Sequence, residues 1–253
     1  MKKILIITFA VLAAISCKKD ETIRYNNVTM GNIDGQTIIS DQGNTFDITE
    51  SMYEFDLSEY EYGRVILSCD VLKKTADKRY DIRLTGMASV LTKETVKAST
   101  ITPESEASVS DHIIIKELWY GGGYINMLVQ FARKKDSEKK HIINLVYDDL
   151  AVTDGGGKPG YSFILRHNAV GETPDEESLG EYTISTGYAS FPVSSLITED
   201  KAKISFKWNA TSFNNGRFDY TAGEETTRTF DWERIGYEHK ISAPDLLSPV
   251  CLR

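Results

Sequence analysis

The chain has 253 residues with 29 Lys and Arg against 37 Asp and Glu, a net charge of −8, 41% hydrophobic residues and three cysteines. Such an acidic balance disfavours a polyanion partner, and the one basic cluster, Arg133-Lys134-Lys135 with Lys139-Lys140, brackets Asp136 and Glu138 as a solvated turn would. Nucleic acid is therefore excluded as a partner, and the length after a leader allows one large β domain or two ordinary ones.

Residues 1–16 predict a signal peptide. Lys2 and Lys3 make a charged start, residues 4–14 an apolar run too short to cross a hydrocarbon core of about 30 Å, and Ala14-Ile15-Ser16 the small residues that a signal peptidase needs. Cys17 follows directly, and the arrangement resembles a bacterial lipobox, which implies cleavage before Cys17 and acylation of its thiol. Each buried methylene contributes roughly 0.8 kcal/mol, so several acyl chains replace a transmembrane helix. Lys18, Lys19, Asp20 and Glu21 resemble the surface-export signal of Bacteroidota lipoproteins, with a plain charged tether as the alternative. The expected location is the outer membrane, lipid-anchored and facing outward, with residues 17–30 as a lipidated tether.

After residue 30 nearly every periodic segment alternates with period two or is a short β-branched run, which predicts an all-β protein. Strands are expected over 36–40, 64–72, 79–84 and 87–91, and residues 50–62 read as a loop with at most one turn of helix. Residues 97–111, KASTITPESEASVSD, are small and polar and predict a linker or long connection. Beyond it, strands are expected over 113–119, 124–131, 141–147, 161–167, 188–193, 202–208 and 228–233, with an acidic loop at 171–180 and a glycine-rich loop at 155–160. Short strands separated by turn signals predict a β-sandwich. A first domain over 31–105, a second over 106–245 and a tail over 246–253 follow.

GRVILSCDVL at 63–72, YDIRLTGMASVLTKETV at 80–96, WYGGGYINMLVQF at 119–131, HIINLVYDD at 141–149 and FILRHNAVGE at 163–172 together resemble the NigD-like family of lipoproteins. The resemblance implies an N-terminal OB-type barrel followed by a C-terminal β-sandwich. The family name comes from a bacteriocin gene cluster, so it also implies a link to bacteriocin-type competition.

No catalytic signature emerges. His141 and His167 lie on neighbouring predicted strands and could meet, but zinc needs a third and fourth ligand, and no H-E-x-x-H or cysteine pair supplies them, so backbone-bonded histidines are expected. The triglycine 121–123 fits a hairpin requiring positive φ, not a phosphate cradle. Asp148, Asp149 and Asp154 lack the ligand spacing of a calcium loop. Asp175, Glu176 and Glu177 offer one carboxylate without a placed second, and there is no G-x-S-x-G elbow. Cys69, in an apolar run, is either a buried thiol or the partner of Cys251.

Trp119, Tyr120 and Tyr124 flank one turn and are the predicted ligand contacts, because rings give large contact area at low entropic cost. Trp208 and Trp232 are expected in the core. The expected protein has no cofactor and no metal, is not an enzyme, and acts as a binding or protective module toward an unidentified protein or glycan ligand. Its alternative role is as a glycan-handling accessory of a nutrient-uptake system.

Overall fold

The computed structural model describes residues 23–60, 62–151, 160–175, 177–214, 217–219 and 225–233. The signal peptide, Cys17, Lys18, Lys19, Asp20, Glu21, Asp154, Glu176, Cys251, most of the 155–160 glycine loop and the 246–253 tail lie outside the described residues, as does the side chain of Trp232. Everything described is strand, turn or short 3-10 segment, an all-β protein as expected.

Five strands make the first domain: β1 (Ile23–Asp34), β2 (Thr37–Ser40), β3 (Thr45–Ser51), β4 (Arg64–Ala76) and β5 (Arg79–Ser89). They close into a barrel in the order β1-β2-β3-β5-β4, with β3 and β5 parallel and β4 returning to β1. This is an OB-type barrel. Long strands must bend to close so small a barrel, and register shifts in β1 between Tyr25 and Thr29 and at three points of β4 provide the bends. Val65, Leu67, Cys69 and Val71 alternate into the barrel core with Ile38, Phe46, Ile82 and Leu84. In the β3–β4 connection Asp56 caps a 3-10 turn, Leu57–Glu59, through the Ser58 amide, and Leu57 joins that core. Cys69 is a free, buried thiol, and burial first, then Asp70, pushes its pKa up to about 12.

The rest forms a sandwich. One sheet has the order β6-β12-β9-β8, from β6 (Leu91–Thr92), β12 (Tyr182–Pro192), β9 (Tyr124–Lys134) and β8 (Ile114–Gly121). The other runs β16-β13-β11-β10-β7, from β16 (Glu225–Glu233), β13 (Lys201–Asn209), β11 (Gly160–Asn168), β10 (Ile142–Tyr147) and β7 (Val96–Lys97). β14 (Ser212–Asn214) and β15 (Arg217–Asp219) form a separate hairpin. Phe131, Phe163, Phe191, Phe206 and Trp208 from both sheets meet in one core, where Trp208 was expected.

The chain leaves the barrel at Val90, fifteen residues earlier than the expected division at 105. β6 pairs in parallel with β12, and β7 in parallel with β10, so the first residues after the barrel enter both sheets of the sandwich. Residues 97–111 do not separate the domains. They strap the sandwich: the Ser99 amide and hydroxyl donate to Asp149 at 3.0 and 2.6 Å, the Asp111 amide donates to the His167 carbonyl at 2.7 Å, and Asn209 donates to the Ser110 carbonyl at 2.8 Å. A strap held by hydrogen bonds needs few apolar residues, so its composition imitates that of a linker.

Candidate functional site

Two buried polar clusters organise the molecule, and the first lies between the domains. β4 begins with Arg64, whose side chain points away from the barrel core and is 1% exposed. All five guanidinium donors are used. Nε donates to Ser190 Oγ at 3.0 Å, Nη1 to Asn32 Oδ1 at 3.0 Å and Asp41 Oδ1 at 2.9 Å, and Nη2 to Asp41 Oδ2 at 2.8 Å and Asn126 Oδ1 at 3.0 Å. Asn32 and Asp41 belong to the barrel, whereas Asn126 on β9 and Ser190 on β12 belong to the sandwich. Ser190 Oγ also donates to Asn126 Oδ1 at 2.6 Å, so the acceptors are themselves tied together.

The Tyr124 ring covers the guanidinium, with the Arg64 Cζ 4.1 Å from its centroid. A fully hydrogen-bonded arginine against an aromatic face loses little by burial and fixes the orientation of both partners. Gly121 and Gly122 make room for it. A Cβ on Gly122 would lie 2.4 Å from Asp41 Oδ1, and Gly122 already holds a φ of +61°. Beside this polar cluster Met30, Ile66 and Val90 pack against Trp119, Leu128 and Tyr188, forming a third apolar cluster across the domain boundary.

Of the three predicted ligand rings Trp119 is buried, whereas Tyr120 and Tyr124 are half-buried. Trp119 is 5% exposed in the apolar cluster between the domains, Tyr124 lies over Arg64, and Tyr120 packs against the sandwich core. Their hairpin was legible from WYGGGY, but its position against the barrel was not. Arg64, Asp41, Asn126 and Ser190 were missed as a group. The available signal was an arginine abutting the unbroken apolar run of VIL, where an alternating run would mark a strand with one wet face.

The second cluster joins the histidines that the sequence paired. His141 immediately precedes β10 and His167 lies on β11; Ile143 faces His167 in register, so the two histidines are diagonal neighbours on one face. His141 Nδ1 and His167 Nε2 are 2.9 Å apart, and His167 Nδ1 donates to the His112 carbonyl at 2.9 Å. His141 Nε2 lies 3.4 Å from Glu172 Oε2. Glu172, missed in the acidic loop, also accepts from the Ser137 hydroxyl and from the Lys134 amide at 3.3 Å. The Phe131 ring packs at a tilt on His141 with centroids 4.6 Å apart.

Burial above all, and then the His141 ring, lower the His167 pKa from 6.5 to about 3. Burial likewise lowers His141, although Glu172 pulls the other way. For Glu172, burial acts upward and is outweighed by the hydrogen bonds from Ser137 and Lys134 and by the neighbouring His141, which leave it below its ordinary value. Two ring nitrogens sharing a tetrahedral zinc at about 2.0–2.1 Å would stand farther apart than the 2.9 Å found between these rings. Among the described residues no group of three His, Cys, Asp or Glu is placed to hold a metal ion.

The other candidates are local. Asp149 serves the strap through Ser99, and Asp175 accepts from the Ser178 amide at 2.8 Å and its hydroxyl at 2.6 Å in an exposed turn. Hydrogen bonds from Ser178 hold Asp175 below the usual carboxylate range, as those from Ser99 do Asp149.

The structure is thus that of a two-domain β protein whose barrel is bolted to its sandwich through one buried arginine. Residues 97–222 match the NigD-like C-terminal beta sandwich domain, and the chain belongs to the NigD-like family. Solved structures share the fold. A Bacteroides vulgatus protein of unknown function superposes with a TM-score of 0.62 at 17% identity, covering 90% of this chain and 99% of its own. A NigD-like immunity protein from Bacteroides caccae gives 0.55 at 17%, covering 82% and 96%. A protein from Bacteroides fragilis named as a candidate lipoprotein gives 0.54 at 12%, covering 83% and 98%. Comparison with curated proteins gave no match.

Proposed function

We propose that the chain is a non-enzymatic lipoprotein of the outer membrane, anchored by acyl chains on Cys17 and facing outward, which acts as a binding or protective module in bacteriocin-type competition. The observation that carries the non-catalytic reading is the commitment of the buried polar groups. Arg64 holds the two domains, and His141, His167 and Glu172 hold strands and a hairpin tip, so these groups do structural work. Support for the anchored and protective role comes from the lipobox-like Ala14-Ile15-Ser16-Cys17, from Lys18 to Glu21, and from the names of two fold neighbours, an immunity protein and a candidate lipoprotein. With Trp119 buried at the domain seam, the glycan reading rests on the half-buried Tyr120 and Tyr124 alone.

The test follows acylation and orientation together. In wild-type cells an alkynyl palmitate labels the protein, it fractionates with outer membrane, and external protease removes it from intact cells. Cys17→Ala abolishes label and membrane attachment, and alanines at Lys18, Lys19, Asp20 and Glu21 leave the label but protect the protein from protease. Label retained by Cys17→Ala overturns the anchor, and equal shaving of the tetra-alanine variant overturns the sorting signal. Protection is tested by survival under culture supernatants from competing strains: equal killing with and without the gene refutes the protective role.

A further inference from the structure

The chain running from the His112 carbonyl through His167 and His141 to Glu172 has three hydrogen-bond gaps: 2.9 Å, 2.9 Å and 3.4 Å. Each gap needs one proton. A carbonyl only accepts, so His167 must carry its hydrogen on Nδ1, which leaves Nε2 bare when the ring is neutral. His141 must then donate from Nδ1, and its own Nε2 is bare as well. Two neutral imidazoles thus fill two gaps, and the third sets a lone pair against the Glu172 carboxylate. That unfilled gap is the long one.

We propose that the space between His141 Nε2 and Glu172 Oε2 is a receptor for one additional proton, and that filling it clamps the β9–β10 hairpin tip to the turn following β11. The clamp is already built around it. Glu172 accepts from Ser137 and from the Lys134 amide of the tip, Lys139 Nζ donates to the Val170 carbonyl at 3.1 Å, and Lys135 Nζ donates to the Gly180 carbonyl at 2.8 Å. The charged and titratable groups around His141 come from each packed element: Arg133 on β9, Asp111 and His112 before β8, His167 on β11, and Glu172.

Arg133 opposes the proton on His141, while Asp111 and Glu172 favour it. Burial sets the balance against the charged ring, so the proton enters below the ordinary imidazole value while His167 stays neutral. Once in place, it converts a lone pair facing a carboxylate into a charge-assisted hydrogen bond, which is shorter and about twice as strong as a neutral one. The tip is exposed and the site lies directly beneath it, so exchange with solvent needs only a local opening.

The test is a histidine-selective ¹⁵N NMR titration of the full chain in detergent from pH 8 to pH 5. The expected result is that His141 Nε2 passes from the bare to the protonated shift, that His167 remains the Nδ1–H tautomer throughout, and that exchange of the Lys134 amide slows after correction for its intrinsic rate. In Glu172→Gln the amide donates to the bare Nε2, so the His141 titration disappears from this range. A His141 Nε2 that stays bare to pH 5 in the wild type overturns the proposal, as does an identical titration in Glu172→Gln. Should that variant fail to fold, the wild-type His141 titration and Lys134 exchange decide alone.

Discussion

Replacing Arg64 with Met tests whether the domain junction is a bolt or merely a contact. The substitution keeps an unbranched, apolar stem in a site that is 1% exposed and removes five donated hydrogen bonds together with the ring stack on Tyr124. The main cost comes from what is left behind. Asp41, 7% exposed in its side chain, becomes a carboxylate without its cation, and Asn126 and Ser190, both 0% exposed, each lose the bond from Arg64. Breaking a buried ion pair from one side costs about 3–5 kcal/mol, a large share of the roughly 5–15 kcal/mol that holds an ordinary domain. With a urea dependence of about 2–3 kcal/mol per M, the midpoint should fall by roughly 1–2.5 M. The assay is urea unfolding followed by tryptophan fluorescence, since Trp119 lies in the adjoining apolar cluster. Adding Asp41→Asn to Arg64→Met removes the orphaned charge and should recover part of the loss, giving a coupling of at least about 1 kcal/mol between the two sites. A cost below about 1 kcal/mol for Arg64→Met, or additive effects in the double variant, would refute the bolt.

Acid should weaken the fold through His167. Its pKa falls from 6.5 to about 3 on folding, so between those values the unfolded chain binds the proton that the folded chain refuses, and stability is flat above 6.5 and declines as pH falls below it. The loss between pH 8 and pH 5 is about 2 kcal/mol from this group, read as a lower urea midpoint; His167→Gln should flatten that slope, and an unchanged slope would exclude His167 as its source. Gly122 and Gly35 share a φ of +61°, but only Gly122 would place a Cβ against Asp41, Gly35 having nothing within 4 Å. Gly35→Ala should therefore cost about 1–2 kcal/mol for the backbone alone and Gly122→Ala clearly more, with equal thermal shifts refuting the close approach.

Much of the architecture was present in the sequence. Period-two alternation located most of the strands, because a strand with one wet face must alternate, and WYGGGY marked its hairpin because Gly122 and Gly123 take positive φ. β1 and β3 escaped notice because TMGNID and TFDITES carry polar residues on a barrel wall that water touches, and β6 and β7 because two-residue strands have no period. The 97–111 strap read as a linker since its partners, Asp149, His167 and Asn209, lie far along the chain. His141 and His167 could be paired on paper because adjacent strands bring diagonal neighbours together, whereas Glu172 entered only when the turn after β11 folded back over them. The sequence by itself determined that the chain is all-β and where most strands run, because alternation and turn chemistry act over a few residues. Only the tertiary structure decided that Arg64 meets Ser190 across 126 positions and that Trp119 faces the barrel, because the burial of a charge and the covering of a ring depend on which domain closes over them, and no local pattern records that.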